Sequence, residues 1–233
     1  MKNTILKSAL PAVALVLAGL SSAYAVPSLT ISDGAGDIVS TTILADASLF
    51  SIGNGSISTT PPGQPSGIAV GDWSVNILTG LSFPILGSAS SPTLDLGGQD
   101  SYVAGSGGAG PGGNVLTITF TADGYSGVNG TSTASIGGVQ GNGTLTFTTQ
   151  ANGNPLTASG VVPSGPFSNA TQGSLVNFSG PLTEIVTLTA NGNEFVSFDA
   201  NMQTVPDSGT TLMLLGSSLT VLGLVARSRK AIA

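Results

Sequence analysis

Between Val26 and Ala226 the chain carries no lysine, arginine, histidine or cysteine, and this absence constrains its fold more than any motif does. No ion pair to Lys or Arg and no disulfide can hold such a segment, so apolar burial and sheet hydrogen bonding must do it. An average composition would place roughly 20 cations in a stretch of that length. All 11 acids lie in the same stretch, at Asp33, Asp37, Asp46, Asp72, Asp95, Asp100, Asp123, Glu184, Glu194, Asp199 and Asp207. A purely acidic body is repelled by polyphosphate, which sets nucleic-acid binding aside.

The same absences narrow the chemistry. Without histidine, cysteine, lysine or arginine there is no usual base for a nucleophilic serine, no thiolate, no Schiff-base amine and no guanidinium clamp. Glycoside hydrolysis by a carboxylate pair and oxygen-ligated metal work are the chemistries that remain. Acids scattered along a β-rich chain read as solubilising turn residues, so the expectation is no catalysis and no cofactor. Asp33-Gly34-Ala35-Gly36-Asp37 puts two carboxylates four apart on a loop, which makes Asp33 and Asp37 calcium candidates. The spacing fits neither an EF-hand nor a repeated Gly-Gly-x-Gly-x-Asp array, and turn chemistry is the default reading.

Hydrophobic periodicity points to strands. In residues 114–121, Leu116, Ile118 and Phe120 alternate with Thr117, Thr119 and Thr121, and the pattern recurs at 144–149, 184–189 and 194–199. Weaker strands are expected at 29–32, 38–44, 48–52, 68–78 around Trp73, 93–96 and 173–178. Asn191-Gly192-Asn193 reads as a tight hairpin turn, while 54–67 and 104–113 read as loops. About ten short strands without an amphipathic helix predict an all-β body, a single β-sandwich of jelly-roll or Greek-key kind. Trp73 is expected in the core, and Tyr102 and Tyr125, beside Gly-rich turns, as the better exposed candidates for stacking on a sugar.

The two ends have a different character. Lys2 and Lys7, the apolar run from Ala9 to Leu20 and Ala23-Tyr24-Ala25 form a secretory signal peptide, with cleavage expected after Ala25. At the other end Val205-Pro206-Asp207-Ser208-Gly209 precedes an uncharged stretch, 210–226, and then Arg227, Arg229 and Lys230. Seventeen helical residues span roughly 25 Å, and snorkelling basic side chains extend that to a bilayer core. Positive charge at the far end marks the cytoplasmic side, leaving the body outside. The chain thus divides into residues 1–25, a body at 26–204 and a tail at 205–233.

Signature, apolar stretch and basic terminus together resemble the PEP-CTERM class of bacterial sorting signals. Val205 to Gly209 match the VPDSG-type variant, with Asp207 and Ser208 where the commoner form has Glu and a second Pro. The resemblance implies export, an inner-membrane precursor, and processing by an exosortase-type membrane transpeptidase after signal peptidase has acted. It also implies delivery to the cell envelope or to extracellular polysaccharide. On this reading the protein is a structural or adhesive component of the envelope or biofilm matrix. A carbohydrate- or calcium-binding module at the same location is the alternative, and a carboxylate-based glycoside hydrolase a more distant one.

Overall fold

The computed structural model describes residues 27–42, 51–53, 55–59, 67–105 and 113–206, with the single positions 216 and 219. Ten strands follow one another: β1 (Pro27–Ser32), β2 (Ile38–Ser40), β3 (Ser51–Gly53), β4 (Ser56–Ser58), β5 (Ile68–Val70), β6 (Trp73–Leu81), β7 (Thr93–Tyr102), β8 (Val115–Ala151), β9 (Asn154–Ala190) and β10 (Glu194–Pro206). Their ladders join without a break, yet the register divides them into two layers. β8 and β9 are each 37 residues long and change partners along their length.

In one layer, residues 115–122 lie between β1 and residues 182–189, and 143–151 lie between 182–190 and 154–163. In the other, residues 130–140 lie between 165–175 and β10, followed by β7, β6 and the short β4 and β5 on the edge of β6. β8 crosses between layers over residues 122–130, where the register shifts repeatedly. Gly127 in this corner has φ +63°, a backbone that L side chains adopt at a cost, and its missing side chain would point into open space.

Burial alternation shows why these residues form strands. Leu116, Ile118, Phe120 and Ala122 in one layer and Leu94, Leu96, Val196, Phe198, Ala200 and Met202 in the other turn inward, every second residue, and are buried. A side chain at Gly80 would run into the Phe120 ring and Ile57, which locates Phe120 between the layers. With no disulfide available, this two-layer apolar core and its ladders hold the body.

Several sequence expectations change in three dimensions. The run 68–78 is two strands, because Gly71 at φ +57° and Asp72 turn β5 back onto β6. The strand expected at 93–96 continues through Gly97 and Gly98 to Tyr102, since the Phe198 ring occupies the space a side chain at Gly98 would need. Asn191-Gly192-Asn193 is not a ladder hairpin: residues 182–190 pair in one layer and β10 in the other, so the turn is an arch between sheets. Residues 54–67 include β4, and strand structure runs through 123–143 and 154–172, where no alternation announces it. The signal-peptide expectation at Ala23 and Ala25 lies outside the described residues. So do Asp207, Ser208, Gly209, Arg227, Arg229 and Lys230. Gly216 and Leu219 are helical and exposed; among the described residues no helix is long and apolar enough to cross a membrane.

Candidate functional site

The signature starts inside the fold. β10 pairs Thr204 with Ser132, Val205 with Thr131 and Pro206 with Gly130. On its other side the Thr204 amide donates to the Pro92 carbonyl at 3.0 Å, and Ser91 Oγ donates to the Thr204 carbonyl at 2.9 Å. Antiparallel alternation then turns the peptide groups of Val205 towards Thr131. Thr204 is buried, whereas the Val205 side chain is exposed. Of Val205 to Gly209, therefore, the first two residues belong to the sheet.

The outer face of the same layer carries an open groove of about 540 Å³ lined by Asp95, Asp199, Asn201, Ser135, Ser168 and the Gly137-Gly138 backbone. Asp95 sits opposite Asn201, two residue pairs along the ladder from Asp199, which pairs with Gly97. Burial pushes the Asp95 carboxyl up, and the Asp199 carboxylate raises it further by repulsion and by accepting its proton in a hydrogen bond; Thr79 works the other way. The groove is suited to hydrogen bonding with a polyhydroxyl surface.

Five other acids are buried instead of solubilising turns. Asp33 Oδ1 accepts the backbone amides of Ala35, Gly36 and Asp37 at 2.9, 3.1 and 3.0 Å, so this carboxylate is turned onto its own loop while Asp37 stays exposed. Among the described residues no group of three or more acids is placed to hold a metal ion. Asp72 Oδ2 accepts the Gly105 amide at 2.7 Å. Asp100 is pushed up to about 8 by burial, against the Asn76 amide that donates to its Oδ1. Burial also raises Glu194, despite the peptide groups of Asn142 and Gly141 and the Gln140 amide beside it. Glu184, buried in the core, is raised well above the carboxylate range by burial first and by Asp95 and Asp199 next, against the Met202 peptide group that works the other way.

The tail answers to a known signal. Residues 204–230 match the family model of the VPDSG-CTERM motif. This is a PEP-CTERM-type sorting signal. No curated protein matches the chain. Solved structures similar to the body include a CBM4 carbohydrate-binding module at 12% identity, covering 48% of this chain and 84% of that one with a TM-score of 0.28. The N-terminal cellulose-binding domain of Cellulomonas fimi β-1,4-glucanase C is 12% identical, covering 64% and 99% with a TM-score of 0.30. The K1 cleaved adhesin domain of Lys-gingipain from Porphyromonas gingivalis W83 is 11% identical, covering 66% and 92% with a TM-score of 0.31. Likeness at this level decides nothing about a ligand.

Ahead of the VPDSG-CTERM tail, Trp73, Tyr102 and Tyr125 do not form an exposed platform. Trp73 is core, its Nε1 donating to the Gly113 carbonyl at 2.9 Å and its ring 5.0 Å from that of Tyr102. Tyr102 and Tyr125, expected at the surface, are both buried. The Tyr125 phenol, against Ser82 and Phe83, is pushed up to about 12 chiefly by burial. Sequence reading missed them because glycines flanking a strand resemble turns. The Asp95 and Asp199 groove was also missed, since 104 residues separate its two acids and only the β7 to β10 ladder joins them.

Proposed function

We propose that the chain is an exported protein, held in the inner membrane as a precursor by residues 210–226. An exosortase-type transpeptidase would process it at the VPDSG-CTERM tail, and the body would serve as a structural or adhesive component of the envelope or extracellular matrix. One observation carries this reading: the VPDSG-CTERM match over 204–230, running without a linker from the last strand of a folded, cation-free body. The body's lack of His, Cys, Lys and Arg supports a role without catalysis. Its location puts polysaccharide within reach. The doubly substituted Pro206→Ala, Asp207→Ala chain, expressed in the native host, is expected to remain in the inner membrane at the mass of the signal-cleaved precursor. Release of that variant at the normal mass would sink the reading.

The outer groove supports a second reading, in which the body holds glycan by hydrogen bonds from Asp95, Asp199, Asn201, Ser135 and Ser168. Glycan-array binding by the purified body, with and without calcium, separates the two. Saturable binding lost on Asn201→Ala would favour the glycan reading, and absence of binding to any array member would favour the structural one.

A further inference from the structure

The processing signal and the fold share residues, which limits where the chain can be cut. A processing enzyme closes around an extended, unpaired length of chain, and nicking concentrates where backbone hydrogen bonds are absent. Thr204 meets neither condition: it is buried, its amide is bonded to Pro92 and its carbonyl accepts from Ser91. The next rung holds Val205 against Thr131, and Pro206 faces Gly130 at the end of the ladder. Reaching a bond at or before Val205-Pro206 would require opening the final rungs of β10, the strand between β7 and residues 130–140 at the centre of its layer.

Resting on the sorting reading above, we propose that the folded body sets the upstream limit of processing: the cut falls after Pro206, and the released body keeps β10 whole. The peptide C–N bond that breaks is the Pro206-Asp207 bond or one beyond it. Its acyl carbon passes to water or to a hydroxyl or amine of a surface polymer, and the new amine, with the proton given up by that acceptor, stays on the tail. The sheet thereby survives maturation, since no residue of a ladder is removed.

The test uses the protein as the native host makes it. Intact mass and C-terminal sequencing of the mature body are expected to give a terminus at Pro206 or later, free or carrying polymer. A terminus at Val205 or earlier would overturn the proposal and leave the sorting reading standing, whereas a body that keeps its whole tail would overturn the sorting reading itself. Hydrogen exchange on the full-length precursor in detergent gives an answer independent of any enzyme. The Thr204 and Val205 amides are expected to exchange at least about 100-fold more slowly than unpaired amides of the same sequence, the order expected of a rung that opens only with its sheet. Exchange of both at the unpaired rate would overturn the proposal.

Discussion

The two poles of the body are built differently. At one pole stand Pro27, the 122–130 corner and Pro206, because β1 begins opposite Ala122 and β10 ends opposite Gly130. The first and last of the described strands therefore both reach the same pole. Val205 is exposed there, and the nearby Val176 is too. At the other pole are the Asp33 to Asp37 loop, the Gly71-Asp72 turn, Tyr102, the 141–143 corner and Glu194. Asp33, Asp72, Asp100 and Glu194 are all buried at or near this far pole. The contrast shows how a body without cations tolerates inward acids: peptide N–H groups donate to Asp33 and Asp72, while burial raises Asp100 and Glu194 and so favours their neutral forms.

The largest expected effect is on pH dependence. Asp100, Glu184, Glu194 and Asp95 have folded-state values above the unfolded range near 4. The folded state therefore binds protons that the unfolded chain has released, so this stability is complete below about pH 4 and is lost as pH rises towards 8. For Asp100 alone, raised to about 8, the loss is on the order of 5 kcal/mol. Urea denaturation should show a midpoint that falls steadily from pH 4.5 to pH 9, and Asp100→Asn should flatten that fall. A midpoint that rises with pH would break the account of the far pole.

A pair of glycines sharpens the comparison at smaller magnitude. Gly71 and Gly127 both have left-handed φ, but a side chain at Gly71 would collide with the Asp33 carboxylate, whereas one at Gly127 meets nothing. Gly71→Ala is expected to cost about 2–4 kcal/mol and Gly127→Ala about 1 kcal/mol, backbone strain alone. Equal losses in thermal or urea unfolding would remove the distinction. The smallest effect belongs to the near pole: Val205→Thr, at an exposed position, should change stability by less than about 0.5 kcal/mol.

Local pattern made part of this fold legible. Residues 115–121, 144–149 and 184–189 alternate because one face of each meets the core, and a period of two is visible within a few residues. Glu184 was legible as part of a strand but not as a buried acid, because its neighbours Leu182 and Val186 reveal the face only once the strand is paired. Residues 154–172 escaped notice for the opposite reason. They form the outer strands of their layers, where Val161 faces solvent and small residues interrupt the alternation.

The sequence by itself determined that the body would be sheet, that it could hold no ion pair to Lys or Arg and no disulfide, and that a sorting signal follows it. Each is a matter of composition or of short-range order. Only the tertiary structure decided which strands share a layer, which acids are buried, and that Val205 and Pro206 are rungs of a ladder as well as the start of a signal. Those facts depend on pairs such as Ala122 with Leu182 and Pro206 with Gly130. Such pairings are set by how whole faces bury one another, and residues that far apart leave no local pattern by which to read them.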